Sequence, residues 1–132
     1  MSVARYIDPA STIEVTVQGV VFTIGYWPPL QGERINLALT KLRRMSDGTT
    51  IDLATADPDT AFAAIGLNRG IAEDAVRYSV RSWVWEGAKP AALVDGVLSE
   101  QSVAALRLSG VLFELSFKCM DFNTVSEAEK KS

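Results

Sequence analysis

Strict alternation of apolar and polar positions appears first near the N-terminus. Ile13, Val15 and Val17 share one side of an extended segment, and after Gln18-Gly19 the series Val20, Phe22, Ile24, Tyr26 shares another. A period of two on both sides of a glycine-bearing pair predicts a β-hairpin over Thr12 to Tyr26. Pro28 and Pro29 then end the extended run. Past Gly32 the apolar spacing changes to Ile35, Ala38, Leu39, Leu42, Met45, with Arg34, Lys41, Arg43 and Arg44 on the other sides, which predicts a helix. A shorter strand reading of Ile35, Leu37, Leu39 competes with it.

Ser46 to Thr50 reads as a turn. Asp57-Pro58 reads as an N-cap followed by proline at the first helical position, opening a short helix through Ile65 that Gly66 closes. From Ile71 to Val84, Ala72, Ala75, Val76, Val80 and Trp83 gather on one helical face, with Glu73, Asp74, Arg77 and Arg81 opposite. That pattern predicts a helix, although Val76, Tyr78 and Val80 also fit a strand. Gly87 to Gly96, with Pro90 and an Asp95-Gly96 turn, links it to a last helix capped by Ser99.

Ser99 to Phe122, drawn as one helix, confines Arg107, Glu114, Lys118 and Asp121 to a narrow stripe. Val103, Leu106, Leu108, Val111, Leu112, Phe113, Leu115, Phe117, Cys119 and Met120 occupy most of the remaining circumference. A helix apolar nearly all round needs cover on several sides, from its own domain or from another chain. Glu114 and Lys118 lie four apart in the favourable order, so the stripe reads as a row of ion pairs within the helix. Together these elements predict an α+β fold: an N-terminal β-hairpin followed by three to four helices, the C-terminal helix largely buried. Residues 1–122 form a single globular domain, and residues 123–132 form a polar tail.

Composition narrows the function. Histidine is absent, which removes the commonest general base, the commonest zinc ligand and every Ser-His or Cys-His nucleophile pair. An enzyme is therefore not expected, and no catalytic, cofactor-binding or metal-binding residue stands out. Asp52, Asp57 and Asp59 lack the ordered oxygen spacing of a calcium loop and read as caps and turn residues. Gly66-Leu67-Asn68-Arg69-Gly70 is followed by no lysine-serine or lysine-threonine pair and reads as a helix stop rather than a phosphate cradle.

Thirteen basic against sixteen acidic residues give a net charge of -3, so no positive field gathers nucleic acid. Arg77, Arg81, Trp83, Trp85 and Lys89 do interleave basic and aromatic side chains, the raw material of a small single-stranded nucleic-acid-binding module; core packing explains them more simply. The lone Cys119 cannot form an internal disulfide and, on an apolar helix, reads as an inert buried thiol in a reducing compartment. Met1 to Arg5 lacks the apolar core of a signal peptide, and no continuous apolar run reaches membrane-spanning length, so neither export nor a membrane partner is expected.

Val80-Arg81-Ser82-Trp83-Val84-Trp85-Glu86-Gly87, Gly96-Val97-Leu98-Ser99-Glu100, Leu112-Phe113-Glu114-Leu115 and the ending Asn123 to Ser132 resemble small tailed-bacteriophage morphogenesis proteins of the tail assembly chaperone type. Its members place a tryptophan before a loop and start a helix with leucine-serine-glutamate. Gly19-Val20-Val21-Phe22, followed by a proline-rich step and a helix, is similar to their N-terminal half. The resemblance implies a non-enzymatic protein of the host cytoplasm that keeps other phage structural proteins, the tape measure or tail tube, soluble during assembly. It would do so through apolar surface rimmed by charge, here Trp83, Trp85, Leu106, Phe113, Phe117 and Met120, with homo-oligomerisation open. The competing expectation is a permanent virion subunit: a head-tail connector, tail or capsid decoration component.

Overall fold

Gln18 and Gly19 both adopt positive φ, 49° and 81°, the pair of left-handed conformations that closes a two-residue hairpin with the twist its strands require. In the computed structural model, which describes residues 6–45 and 58–124, they join β1 (Thr12–Val17) to β2 (Val20–Gly25) in an unbroken antiparallel register from Thr12 opposite Gly25 to Val17 opposite Val20. The predicted hairpin is present with its predicted turn. On its other edge β2 pairs with β3 (Val80–Val84), giving a three-stranded sheet in the order β1-β2-β3.

Helix α1 (Pro29–Met45) begins at the second proline, earlier than the apolar spacing suggests. Proline's missing N–H and fixed φ suit the first helical turn. Helix α2 (Pro58–Arg77) does not stop at Gly66. It runs on through Gly66 and Gly70 because Ala64, Ile71, Ala72, Ala75 and Val76 lie at helical spacing and are all buried. That packing offsets the cost of about 1 kcal/mol that each interior glycine imposes.

The helix predicted over 71–84 is in fact two elements. α2 ends at Arg77, and Val80–Val84 is a strand whose Val80 and Trp83 turn inward while Ser82 and Val84 face out. β2 decides the matter: its Val21, Thr23 and Gly25 need partners on the side away from β1, and Gly25 N–H donates to Ser79 O at 2.8 Å.

A small hairpin, β4 (Leu93–Val94) and β5 (Val97–Leu98), turns at Asp95-Gly96 and leads to α3 (Glu100–Leu108). Ser99 caps α3 as predicted, its side chain accepting from Ser102 N–H.

The single helix predicted from Ser99 to Phe122 is broken. Gly110, at φ 76°, separates α3 from α4 (Leu112–Asn123), and each buries one face. Val103 and Leu106 of α3 and Leu112, Leu115 and Cys119 of α4 join Val17, Phe22, Ile24, Val76 and Val80 in the main core between sheet and helices. A second cluster, Trp27, Ile35, Ile71 and Ala75, binds α1 to α2 and takes in part of Met120. The α+β architecture stands, with four helices among the described residues.

The intrahelical row of ion pairs does not form. Arg107 instead pairs with Glu73 of α2, 34 residues away and 2.5 Å from it. Among the described residues no ion pair joins Glu114 to Lys118. Asn123, assigned above to the tail, is the last residue of α4 and bonds into the fold. The Ser46–Thr50 turn, Asp52, the Asp57 cap, Met1 to Arg5 and residues 125–132 lie outside the described residues.

Candidate protein-interaction surface

α4 runs from the β1–β2 turn, where Gln18 Nε2 donates to Gly110 O at 3.4 Å, toward the end of β2. There Tyr26 and Phe122 stack with centroids 4.3 Å apart. Its inner face is fixed by Leu112, Leu115, Ser116 and Cys119, all buried. Side chains four apart on a helix stand one above the other, so Phe113 and Phe117 form one row on its other side. They are 45% and 62% exposed, and Leu108, at the end of α3, is 87% exposed. Two aromatic rings and a leucine stand in water within ten residues of one another, beside charged Glu114 and Lys118.

The six predicted interaction residues do not make one patch. Leu106 is fully buried in the main core and offers nothing to a partner. Met120 is half-buried against the second cluster. Trp83 and Trp85 are half-buried on the sheet, 5.7 Å apart and edge-on to each other and to Phe22. Trp83 Nε1 donates to Lys89 O at 2.9 Å, which pins the loop that follows the strand. Phe113 and Phe117 alone are substantially exposed, and no ring contact joins them to the tryptophans. Leu108 was missed; Ser109-Gly110 just after it is the helix-stop signal that could have revealed it.

Two of the three basic residues that suggest nucleic acid, Arg77 and Arg81, are engaged within the fold, while Lys89 is exposed. Arg77 binds Asp74 at 2.7 Å and Glu100 at 2.9 Å. Burial lifts the Asp74 carboxyl above its ordinary range, and Arg77 only partly opposes this. Arg81 donates to Tyr78 O and Tyr26 O. Among the described residues no group of three acidic or cysteine side chains is placed to hold a metal ion. Burial raises the Cys119 thiol to about 12, against a weaker opposing hydrogen bond from Ser79, so it is protonated at neutral pH and inaccessible. No helix among the described residues is long and apolar enough to cross a membrane. No protein family, curated protein or solved structure matches this chain.

Proposed function

We propose that this chain is a non-enzymatic tail assembly protein of tailed bacteriophages, chaperone-like, that binds other phage structural proteins through the outer side of α4. The observation that carries the reading is the exposure of Phe113 and Phe117 on a helix whose inner face is already filled by Leu112, Leu115 and Cys119. Exposed aromatic side chains on a rigid element supply contact area with little entropy to lose on binding. The resemblance of Val80 to Gly87, Gly96 to Glu100, Leu112 to Leu115, the ending Asn123 to Ser132 and the Gly19 to Phe22 step to phage morphogenesis proteins supplies the partner class, the tape measure or tail tube. The missing histidine supports the non-enzymatic part.

Co-expression with the tape measure protein of the same phage tests the reading. The chain is expected to keep the tape measure soluble, and the Phe113→Asp/Phe117→Asp double variant to fail while remaining folded. Equal solubilisation by the double variant would sink the α4 reading. Stoichiometric recovery of the chain from purified virions, by mass spectrometry, would replace the chaperone with a permanent virion subunit.

A further inference from the structure

We infer that β1 is a self-pairing edge: two copies of this chain join antiparallel along Thr12–Val17 to make one six-stranded sheet. The turn geometry fixes which backbone groups are free. In a two-residue hairpin the flanking pair, Val17 and Val20, exchange hydrogen bonds, so Val17, Val15 and Ile13 point their N–H and C=O groups at β2. Gly25, which faces Thr12, donates to Ser79 O on the far side, and this confirms the phase. The N–H and C=O groups of Thr12, Glu14 and Thr16 therefore point outward, and they bond to nothing among the described residues.

Sheet edges in soluble proteins are normally guarded by proline, lysine, a bulge or a covering element, because a free row of donors and acceptors recruits another strand. Among the described residues β1 carries none of these, and its single charged side chain is Glu14. It holds six residues in unbroken register, with no proline and no basic side chain. The opposite edge is different: β3 is bulged at Arg81, which breaks its register, and the Arg81 guanidinium folds back on the Tyr26 and Tyr78 carbonyls. Of the two edges of this three-stranded sheet, β1 is the one that the described residues leave in a state to pair.

The side chains of β1 favour a second copy. Antiparallel partners must match faces, and pairing centred on Val15 does so throughout. Val15 meets Val15 of the other copy, Ile13 meets Val17, and Glu14 meets Thr16. Ile13, 42% exposed, gains cover from the half-buried Val15 diagonal to it, while Val17 opposite is already buried within its own chain. The register centred on Glu14 sets two carboxylates opposite each other, and the one centred on Thr16 leaves Ile13 against a glycine. The self-complementary register is thus the one that buries apolar side chains without opposing like charges.

Two cysteine variants test the geometry, since Cys119 is buried and takes no part. In the Val15-centred register Val15→Cys residues meet as a close non-hydrogen-bonded pair, within disulfide reach, whereas Thr16→Cys residues lie diagonally, beyond it. Mild oxidation should convert Val15→Cys, and not Thr16→Cys, to a dimer of twice the 14.3 kDa monomer mass. Sedimentation of the unmodified chain should show the same mass rising with concentration. Thr16→Pro removes only an outward N–H, so it should keep the far-ultraviolet spectrum and abolish the dimer. A chain monomeric at every concentration, or cross-linking that is absent or equal in the two cysteine variants, would overturn the inference. If Thr16→Pro fails to fold, the cysteine pair decides by itself.

Discussion

The side-chain oxygen of Asn123 accepts the backbone N–H of Trp27 at 2.7 Å, across 96 residues of chain. Its amide nitrogen donates to Cys119 O at 2.8 Å and to Gly25 O at 3.4 Å. One amide at the end of α4 thereby ties down the exit of β2 and completes its own helix terminus. Asn123→Ala strands the Trp27 N–H in a half-buried position and should destabilise the protein by about 1–3 kcal/mol. Urea denaturation followed by tryptophan fluorescence measures this. An unchanged midpoint would show that water replaces the amide without loss.

Gly25 sits where a side chain would be crowded, so that the neighbouring guanidinium would have to give by a few tenths of an ångström. A Cβ there would come within 3.1 Å of Arg81 Nε and Nη2, and that guanidinium is held by two carbonyls. Gly25→Ala should push Arg81 off Tyr26 and Tyr78 and cost about 1–3 kcal/mol. A double-mutant cycle isolates the cause: in an Arg81→Ala background the same glycine substitution should cost much less. Equal costs in the two backgrounds would place the strain elsewhere.

Cys119 gives a pH dependence of definite sign. Its thiol is raised from 9.0 to about 12 by burial, so between those values the unfolded chain loses a proton that the folded chain keeps. Its contribution to stability is complete below about pH 9 and is lost as the pH climbs toward 12. The urea midpoint of the wild type should therefore fall more steeply over that window than that of Cys119→Val. Parallel curves would mean the thiol is not desolvated. At neutral pH a thiol reagent should label Cys119 only as fast as the protein unfolds.

Local signals carried the parts of the fold that local chemistry decides. Alternation around Gln18-Gly19 predicts β1 and β2, Asp95-Gly96 marks its turn, and Ser99 marks the start of α3. The misreadings share a different cause, a distant partner. Val76 and Val80 satisfy both a helical and a strand period, and only the unpaired edge of β2 selects the strand from Val80 onward. Gly66 and Gly70 look like stops until α1 and α4 pack against α2. Arg107 reads as part of an intrahelical stripe because Glu73, its partner, lies on another helix.

The candidate surface was legible by composition and not by position. An apolar circumference on Ser99 to Phe122 marks both the buried and the exposed apolar residues, yet the break at Gly110 rotates α3 and α4 independently and sorts them into core and surface. Leu106 and Phe117 look equivalent in the sequence. One is fully buried and the other largely in water.

That sorting yields a paired prediction. Leu106→Ala removes methyl groups from a closed core and should cost about 2–5 kcal/mol of stability. Phe117→Ala deletes a ring that is 62% exposed, so its stability should stay within about 1 kcal/mol of wild type. Phe113→Asp, which a helix surrounded on all sides could not accommodate, should also leave a folded chain, because the carboxylate reaches water. Thermal melting separates the two classes, and the co-expression assay reverses their order: Phe117→Ala should lose solubilising capacity that Leu106→Ala, at temperatures where it is folded, retains. A Phe117→Ala variant both stable and fully active would show that the exposed row on α4 meets no partner, leaving the tryptophan-bearing strand to carry recognition.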